Sequence, residues 1–229
     1  MTPAFRPALR LFLLFSLTQW ISCAVQAPRT IDEGVVEYEI TYPQGSSQDN
    51  FMSAMMPTTM KLSFRNGLTR SDIGFGMGLM NASFISDSEN KRLITLLQIL
   101  DKKYALIMDS AQVAQELKSK KWKVTFSDER KKIAGFPCQK ANVTLDGGPP
   151  LELYYTPDLL SPSPNWSTPF HEVEGVLLEY QLILNDMELK LKAVNVTAQP
   201  VDSLIFAVPD GYSIVPKEEM PEIFTQFFF

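Results

Sequence analysis

Regular alternation of apolar and polar residues is the dominant pattern of this chain, and it predicts β-strands. Residues 36–42 place valine, tyrosine or isoleucine at every second position, with glutamate or threonine between them. A period of two is typical of a strand with one buried face. Residues 60–65 repeat the pattern and end at Asn66-Gly67, a pair that tolerates the positive φ of a tight turn, so residues 68–73 are predicted to return antiparallel.

The rest of the chain carries further strand patterns and one helix pattern. Asp109 is the predicted N-cap of a helix over residues 110–121, where alanine and leucine recur at helical spacing and lysines fill the last turn. Asn185-Asp186 predicts a tight turn between the last two strands. The further strands are predicted at residues 81–86, 92–99, 103–108, 124–127, 138–145, 151–156, 176–184 and 187–196.

Successive strands with a single helix and no βαβ alternation predict a mainly β fold of the α+β type. We expect a curved antiparallel sheet, or half-open β-barrel, with one or a few helices covering a face or the opening. The Pro/Ser segment 161–169 lies between strands and is a loop rather than a domain linker. The pattern favours a single domain over residues 34–215 and a C-terminal tail at 216–229; two small stacked domains are the alternative.

The N-terminal region has the pattern of an export signal. Two arginines and no acidic residue occur in the first ten residues, and an apolar run follows at 11–21. This run is shorter than the ~20 residues that cross a bilayer as a helix. We therefore predict a signal peptide at 1–22, a linker at 23–33 and export to the periplasm.

Two cleavage sites fit this region. Ser22-Cys23 after Ile21 resembles a bacterial lipobox, in which the cysteine is acylated and becomes the first mature residue, although Trp20 departs from the usual leucine. Alternatively, signal peptidase cuts after Ala24, with small residues at both recognition positions. The lipobox is the favoured interpretation, and it predicts that a lipid on Cys23 attaches the protein to a membrane.

Composition narrows the range of partners and cofactors. The chain has 229 residues, with 21 Lys+Arg against 26 Asp+Glu and a formal net charge of -5. An acidic excess does not favour the phosphate backbone of nucleic acid, which attracts clustered lysine and arginine. One histidine and two cysteines are too few for a zinc site with four such ligands or for a disulfide framework. We expect no nucleic acid partner, no metal and no cofactor.

Candidate catalytic groups are few. The chain lacks the G-x-S-x-G sequence of many hydrolases, and His171 is its only histidine. Cys138 begins a predicted strand, where a buried and inert thiol is typical. The glycine-rich segment 74–78 lacks the Lys-Ser/Thr that completes a phosphate-binding loop. We therefore predict a protein without catalytic residues that is not an enzyme.

Methionine is concentrated in one segment of the chain. Six of the ten methionines lie within residues 52–80, interleaved with phenylalanines. The flexible, polarizable thioether side chain suits a deformable apolar surface that accepts acyl chains. Core filling and Cu(I) binding by thioethers are the alternatives. The apolar-ligand hypothesis predicts a concavity lined by Met55, Met56, Met60, Phe64, Phe75, Met77 and Met80.

Four short segments occur in an order that carries a family resemblance. They are KKIAGFPCQKANVTL at 131–145, LELYYTPDL at 151–159, GVLLEYQL at 175–182 and SLIFAVPDGYSIV at 203–215. This order resembles an uncharacterised family of exported bacterial envelope proteins similar to the GLPGLI proteins, although the GLPGLI signature itself is represented only by EVEGVLL at 172–178. The resemblance implies a lipoprotein-carrier architecture, a curved half-barrel with helices plugging an apolar cavity. It implies no catalytic residue.

Together these patterns predict a non-enzymatic envelope protein that binds a lipid, an acylated peptide or another apolar ligand in the methionine-lined concavity. The alternative is a structural or protein-interaction module of an envelope assembly. Such a module would display a sheet edge or the methionine-rich segment to an envelope protein partner.

Overall fold

The alternating segments pair as strands of one large sheet in the computed structural model, which describes residues 30–43, 56–118, 121–146, 148–159, 161–184, 187–220 and 222–223. The strands are β1 Glu33–Thr41, β2 Thr59–Arg65, β3 Leu68–Phe75, β4 Met80–Asp87, β5 Arg92–Ile99, β6 Lys102–Met108, β7 Trp122–Ile133, β8 Phe136–Leu145, β9 Leu151–Thr156, β10 Val176–Leu184, β11 Met187–Ala198 and β12 Ser213–Ile214. One α-helix, α1, spans Ser110–Lys118, and 3₁₀ turns occupy Gly76–Gly78, Ser203–Phe206 and Lys217–Glu219.

The sheet is open, with β12 and β7 as its two ends. Its strand order is β12-β6-β5-β4-β3-β2-β1-β11-β10-β9-β8-β7. Every neighbouring pair is antiparallel except β12 with β6. Because the two ends do not pair in the described part of the chain, the curved sheet stays a half-open barrel with a single helix. This confirms the predicted mainly β fold class.

Local sequence signals placed the first hairpin and the start of the helix correctly, although the helix does not include Lys121, where it was predicted to end. Asn66 and Gly67 adopt positive φ values of 47° and 79° in the turn that joins β2 to β3. The Asp109 carboxylate accepts a hydrogen bond from the Gln112 backbone N–H at 2.9 Å, and the Gln112 amide oxygen accepts one from the Asp109 N–H at 3.0 Å. This reciprocal cap satisfies N–H groups that have no partner inside the helix.

Three local predictions require correction. The strand predicted at 124–127 is part of the longer β7, which continues past the charged residues because a bulge between Phe126 and Arg130 absorbs the mismatch with β8. The strand predicted at 103–108 begins one residue earlier, at Lys102, so the turn between β5 and β6 lies at Leu100-Asp101, with Leu100 at a φ of 53°. Strand β12 was missed, because its two residues form a strand only by pairing with β6.

The sheet has two faces with different chemistry. The Met80 face is the side on which the Met80 side chain lies, and by strand register it carries Val36, Tyr38, Met60, Phe64, Ala82 and Leu97. The Glu37 face is the opposite side, and it carries Glu39, Lys61, Arg70, Asp72, Ser83 and Leu96. The largest buried cluster joins the two halves of the sheet and includes Val36, Tyr38, Phe64, Cys138, Leu178 and Leu191.

A segment after β11 covers part of the Glu37 face. This strap, residues 199–212, packs Val201 and Phe206 against Ile85, Ile94, Leu96 and Ala105. Arg65 donates a hydrogen bond to the Val201 carbonyl at 2.7 Å, and Arg70 donates one to the Ile205 carbonyl at 2.7 Å. Two arginines of neighbouring strands thus hold the strap by its backbone.

Other segments cover parts of the Met80 face. Phe170 and Val173, from the loop before β10, pack on Ala141, Leu153 and Leu177. Met220 packs on Met80, Leu97 and Ile99 near the opposite end of the sheet. Within the described residues, no helix has the length and apolar character needed to span a membrane. The sheet runs from Glu33 to Ile214, and the proposed signal peptide lies outside the described residues.

Candidate functional site

Four of the predicted ligand-lining residues share the Met80 face. Register places Met60 on β2 and Phe75 on β3, with Phe75 directly opposite Met80 on β4. Phe64 and Met80 are buried, whereas Met60 and Phe75 are half-buried. Phe64 belongs to the central cluster and Met80 to a separate one, so this face contains two groups of these side chains rather than one pocket.

The other predicted lining residues are placed differently. Met77 lies in the 3₁₀ turn between β3 and β4, with a positive φ of 54°, and its side chain is 88% exposed. Met56 is half-buried before β2. Met55 lies outside the described residues, as does the proposed lipidation residue Cys23. The hypothesis that the seven residues bind a common ligand stays a prediction.

Phe84 is a residue of this face that the sequence reasoning did not select. It follows Met80 and Ala82 on alternate positions of β4, so all three side chains share the Met80 face. Ala82 is buried, but Phe84 is 43% exposed. The period of two that identified β4 also placed Phe84 beside the core, yet nothing in the pattern indicated that no described segment would cover it.

Next to Phe84 on this face, a buried hydroxyl has no hydrogen-bond partner in the described part of the chain. Ser86 is buried, and its Oγ has no protein group to bond to. Burial of an unpaired hydroxyl costs roughly 1–3 kcal/mol. Thr69 and Leu93 lie opposite Ser86 on the neighbouring strands, and Ser71 and Thr95 lie opposite Phe84. We call the five side chains Phe84, Ser86, Thr69, Ser71 and Thr95 the Phe84 patch.

A polar depression lies on the Glu37 face. It has a volume of about 630 Å³ and crosses strands β1 to β5 beside the strap. Its polar and aromatic lining comprises Glu37, Glu39, Thr59, Lys61, Arg70, Asp72, Asn81, Ser83, Gln98 and Tyr212. Met60 contributes to this lining, but the other predicted ligand-binding residues that the structure describes, Met56, Phe64, Phe75, Met77 and Met80, do not.

Arg70 organises the floor of this depression. Its Nε donates to Asp72 Oδ1 at 2.8 Å, and its Nη2 donates to Ser83 Oγ at 3.0 Å. The Ser83 hydroxyl in turn donates to the same Asp72 oxygen at 2.6 Å. These bonds fix the orientation of the Asp72 carboxylate, while a third bond from Arg70 holds the strap.

A cluster of charged residues connects β7, β8 and β9 on the Glu37 face. The Tyr154 hydroxyl donates to Glu129 Oε1 at 2.5 Å, and Lys140 contacts Glu129 at 3.2 Å and Glu152 at 2.6 Å. The hydrogen bond from Tyr154 lowers the pKa of Glu129, and the hydrogen bonds to Glu152 and Glu129 raise the pKa of Lys140. No local sequence pattern indicates these partners of Glu129, because they lie on other strands. The arrangement holds the edge strand β7 to β8 and β9.

Glu179 lies beside this cluster, between two lysines. Its side chain is 8% exposed, and its carboxylate oxygens lie 2.9 Å from Lys131 Nζ and 2.9 Å from Lys190 Nζ. Burial by itself raises the pKa of Glu179, but the hydrogen bonds and positive charges of the two lysines outweigh it, so the pKa lies below its usual value of 4.5.

Glu179→Gln is therefore expected to lower the free energy of unfolding at pH 7 by about 2 kcal/mol, less than for a fully buried pair because the lysines are partly exposed. A carboxyl with a lowered folded pKa stabilises the protein above pH 4.5, and this contribution is lost as the pH falls through the folded pKa. Urea titrations from pH 7 to pH 3 should show the difference between variant and wild type shrinking. The control is Glu39→Gln, at an exposed carboxylate of β1. A difference that is independent of pH would contradict this account.

Cys138 is a buried thiol, as the sequence predicted. It is 1% exposed, and burial raises the pKa of the thiol to about 11. At pH 8 it should therefore stay protonated and unreactive. In a Cys23→Ser background, we expect the native protein to react negligibly with Ellman's reagent at pH 8. The urea-unfolded protein should react fully, so that one equivalent of the reagent's coloured thiolate is released. Rapid release of one equivalent from the folded protein would show that the thiol is accessible.

Among the described residues, no group of three or more His, Cys, Asp or Glu side chains is arranged to hold a metal ion. His171 is exposed in the loop before β10, and the described residues show no hydrogen bond from its side chain to a serine or cysteine. The described polar groups that converge are therefore those of the depression and of the charged cluster.

The comparisons with known proteins identify the fold. No family model matches the chain, and no curated protein matches it. The chain is similar to the structure of PNGF-II, with a TM-score of 0.55 and 12% identity over 84% of this chain. The match covers 33% of the PNGF-II chain, so this chain spans about a third of that protein.

Two further structures give lower TM-scores. One is an uncharacterized conserved protein from Thermus thermophilus, with a TM-score of 0.48 and 9% identity over 82% of this chain and 93% of that chain. The other is a β-barrel-like protein of a domain of unknown function from Brucella abortus, with a TM-score of 0.37 and 7% identity over 76% of this chain and all of that chain (100%). The resemblance to GLPGLI-like proteins stays a prediction. What the chain shares with PNGF-II, the one structure here with a TM-score above 0.5, is its β-rich fold.

Proposed function

We propose that the protein is a non-enzymatic binding module of the cell envelope that holds an apolar ligand against the Phe84 patch. The observation that carries this proposal is the 43% exposure of Phe84 on the Met80 face, between the buried residues Ala82 and Ser86 of β4. The Phe84 ring contacts water beside buried Ala82, so an apolar partner that covers the ring removes apolar surface from water and binds favourably. The cell-envelope location rests on the predicted export signal.

The chemistry around Phe84 favours a ligand with one apolar part and one polar part. An acyl chain laid on the ring gains about 0.8 kcal/mol for each methylene that it buries. The half-buried Ser71, which lies opposite Phe84 on β3, provides a hydroxyl for a carbonyl or carboxylate at the polar end of the chain. A fatty acid or an acylated peptide has both parts.

The test is a fluorescence titration of the mature protein, stripped of lipid, with 11-(dansylamino)undecanoic acid. Phe84→Asp places a charge where the acyl chain would lie, and we expect it to weaken binding at least about ten-fold, which corresponds to about 1.4 kcal/mol. The control is Leu204→Asp, which adds the same charge at a 77% exposed leucine of the strap on the opposite face. Circular dichroism checks that both variants are folded.

Saturable binding by the wild type that is lost in Phe84→Asp and kept in Leu204→Asp would support the proposal. It would be refuted by wild-type protein that shows no saturable binding, or by equal affinity in the two variants. Copurification of a stoichiometric envelope protein without lipid would favour the interaction-module alternative.

One edge of the sheet argues against pairing with a partner strand, which is one form of that alternative. The β7 edge carries Lys123 and Lys132 and contains the bulge after Phe126. Lysines and bulges on an edge strand discourage pairing with another chain. At the other end, the two residues of β12 cover only part of β6. A partner strand that extends the sheet would therefore have to pair at the β6 end rather than along β7.

A further inference from the structure

We propose that the polar depression on the Glu37 face is a second binding site, and that its ligand is an uncharged saccharide. This site lies on the opposite side of the sheet from the Phe84 patch, so it does not depend on apolar-ligand binding. The depression has a volume of about 630 Å³, which is enough for a ligand of a few sugar rings.

The floor of the depression is rigid before any ligand arrives. Arg70 is bonded to Asp72, to Ser83 and to the Ile205 carbonyl. Asp72 Oδ1 accepts two of the bonds in this network, whereas the described residues provide no bond to its Oδ2. A carboxylate held in one orientation, with one oxygen available, can accept a hydroxyl hydrogen bond with little loss of side-chain entropy.

Two amide side chains of the lining are weakly engaged. Asn81 donates to the Gly78 carbonyl at 3.5 Å, and Gln98 donates to the Leu100 carbonyl at 3.3 Å. Both distances are longer than the usual 2.7–3.2 Å range for N–H···O bonds. Each amide also has an acceptor oxygen beside its donor nitrogen. Sugar hydroxyls both donate and accept, so they match amides at adjacent positions of β4 and β5.

The charges of the lining nearly cancel. Glu37, Glu39 and Asp72 are negative, and Lys61 and Arg70 are positive. Cross-strand register alternates their signs, because Lys61 lies opposite Asp72 on β3 and opposite Glu37 on β1. A surface of alternating charges gives no net attraction for a strongly charged ligand. It offers hydrogen bonds to a neutral ligand that is rich in hydroxyl groups.

An aromatic ring forms part of the wall. Tyr212, at the end of the strap, lines the depression, and Lys103 Nζ lies 5.8 Å from the ring centroid. Val194, an exposed residue at the bulge of β11, adds apolar surface to the lining. The C–H faces of sugar rings pack on aromatic and aliphatic side chains while their hydroxyls bond to polar groups. The depression provides both kinds of contact.

The experiment probes the folded mature protein with an array of neutral oligosaccharides of the glucan, mannan and chitin types, together with sialylated and sulfated ones. Isothermal titration with the best-retained oligosaccharide then compares the wild type with Asn81→Ala/Gln98→Ala. Loss of two hydrogen bonds should weaken binding about ten-fold or more. The matched control is Asn142→Ala, which removes an amide on the same face but outside the depression.

Binding of neutral oligosaccharides that is weakened in the double variant and kept within about two-fold in the control would establish the site. The inference is overturned if no oligosaccharide is retained, if only charged ones are retained, or if the double variant binds like the wild type. Phe84→Asp should bind oligosaccharide normally. Failure of the apolar-ligand proposal is thus distinguishable from failure of this one.

Discussion

Phe206→Ala should lower the free energy of unfolding by about 3–5 kcal/mol, the usual cost of removing a buried phenylalanine side chain. Phe206 is 5% exposed and packs with Ile85, Leu96 and Ala105 beneath the strap. Alanine leaves a void that the sheet cannot fill, because the backbone on both sides is held by strand pairing and by the arginine bonds to the strap. Urea unfolding followed by circular dichroism measures the change.

The same substitution should loosen the strap before the whole protein unfolds. Phe206 is a main apolar contact of the strap, while Arg65 and Arg70 hold only its backbone. Local opening would expose Ile85 and Leu96, so the variant should show increased binding of the dye ANS under native conditions. Because Tyr212 belongs to the strap, affinity for oligosaccharide should fall as well.

Leu204→Ala is the matched control for this prediction. Leu204 lies in the same 3₁₀ turn, but its side chain is 77% exposed, so its removal should change stability by less than about 0.5 kcal/mol. If the two variants were equally stable, Phe206 would not anchor the strap, and the packing of the strap described above would be wrong.

Gly175→Ala should destabilise the protein by about 3 kcal/mol, through steric overlap and backbone strain together. Gly175 has a φ of 147°, which residues with a side chain rarely adopt, and a Cβ atom there would lie 2.5 Å from the Thr156 carbonyl oxygen. The atoms that it would meet first belong to the Thr156 backbone, so they cannot rotate away. Thermal unfolding, read as a fall in Tm, tests the prediction.

Gly74→Ala provides the comparison at a different glycine of the sheet. Its nearest neighbour would be the Asn81 side-chain oxygen at 3.2 Å, which can move because Asn81 is exposed. We expect a change of no more than about 0.5 kcal/mol. Equal effects at the two positions would contradict this explanation, because the close approach of the Thr156 backbone to residue 175 would then not be the reason for glycine there.

The position of Gly175 also gives the segment 172–178 a structural role. The loop before β10 is fastened by the buried Asn165 amide, which donates to the Val173 carbonyl at 2.8 Å and to the Gly175 carbonyl at 2.9 Å. The loop then enters β10 through Gly175.

Most of the sheet could be predicted from local sequence. Strand β1 alternates clearly because one of its faces is buried and the other carries glutamates that face solvent. The Asn66-Gly67 turn and the Asp109 cap are governed by backbone preferences of the residues themselves, so neighbouring residues suffice to predict them. Single-domain organisation over residues 34–215 and the export signal remain predictions of the same kind.

Long-range contacts decided what local sequence could not show. Strand β12 exists through its pairing with β6, about 110 residues earlier in the chain, and β7 extends past its charged residues because Glu129 finds Tyr154 and Lys140 on neighbouring strands. Seven residues were predicted to line one apolar concavity. In the structure, Phe64 and Met80 are buried in separate clusters and Met77 is exposed, and binding of a common ligand by the seven residues stays a prediction.

The sequence by itself therefore determined the class of fold, because a period of two and the preferences of turn residues act over a few positions. Only the tertiary structure decided which surfaces stay uncovered. Phe84 is exposed because no described segment crosses it, and the polar depression exists because the strap ends beside strands β1 to β5. Exposure depends on where distant segments pack, and that information is not contained in any short stretch of sequence.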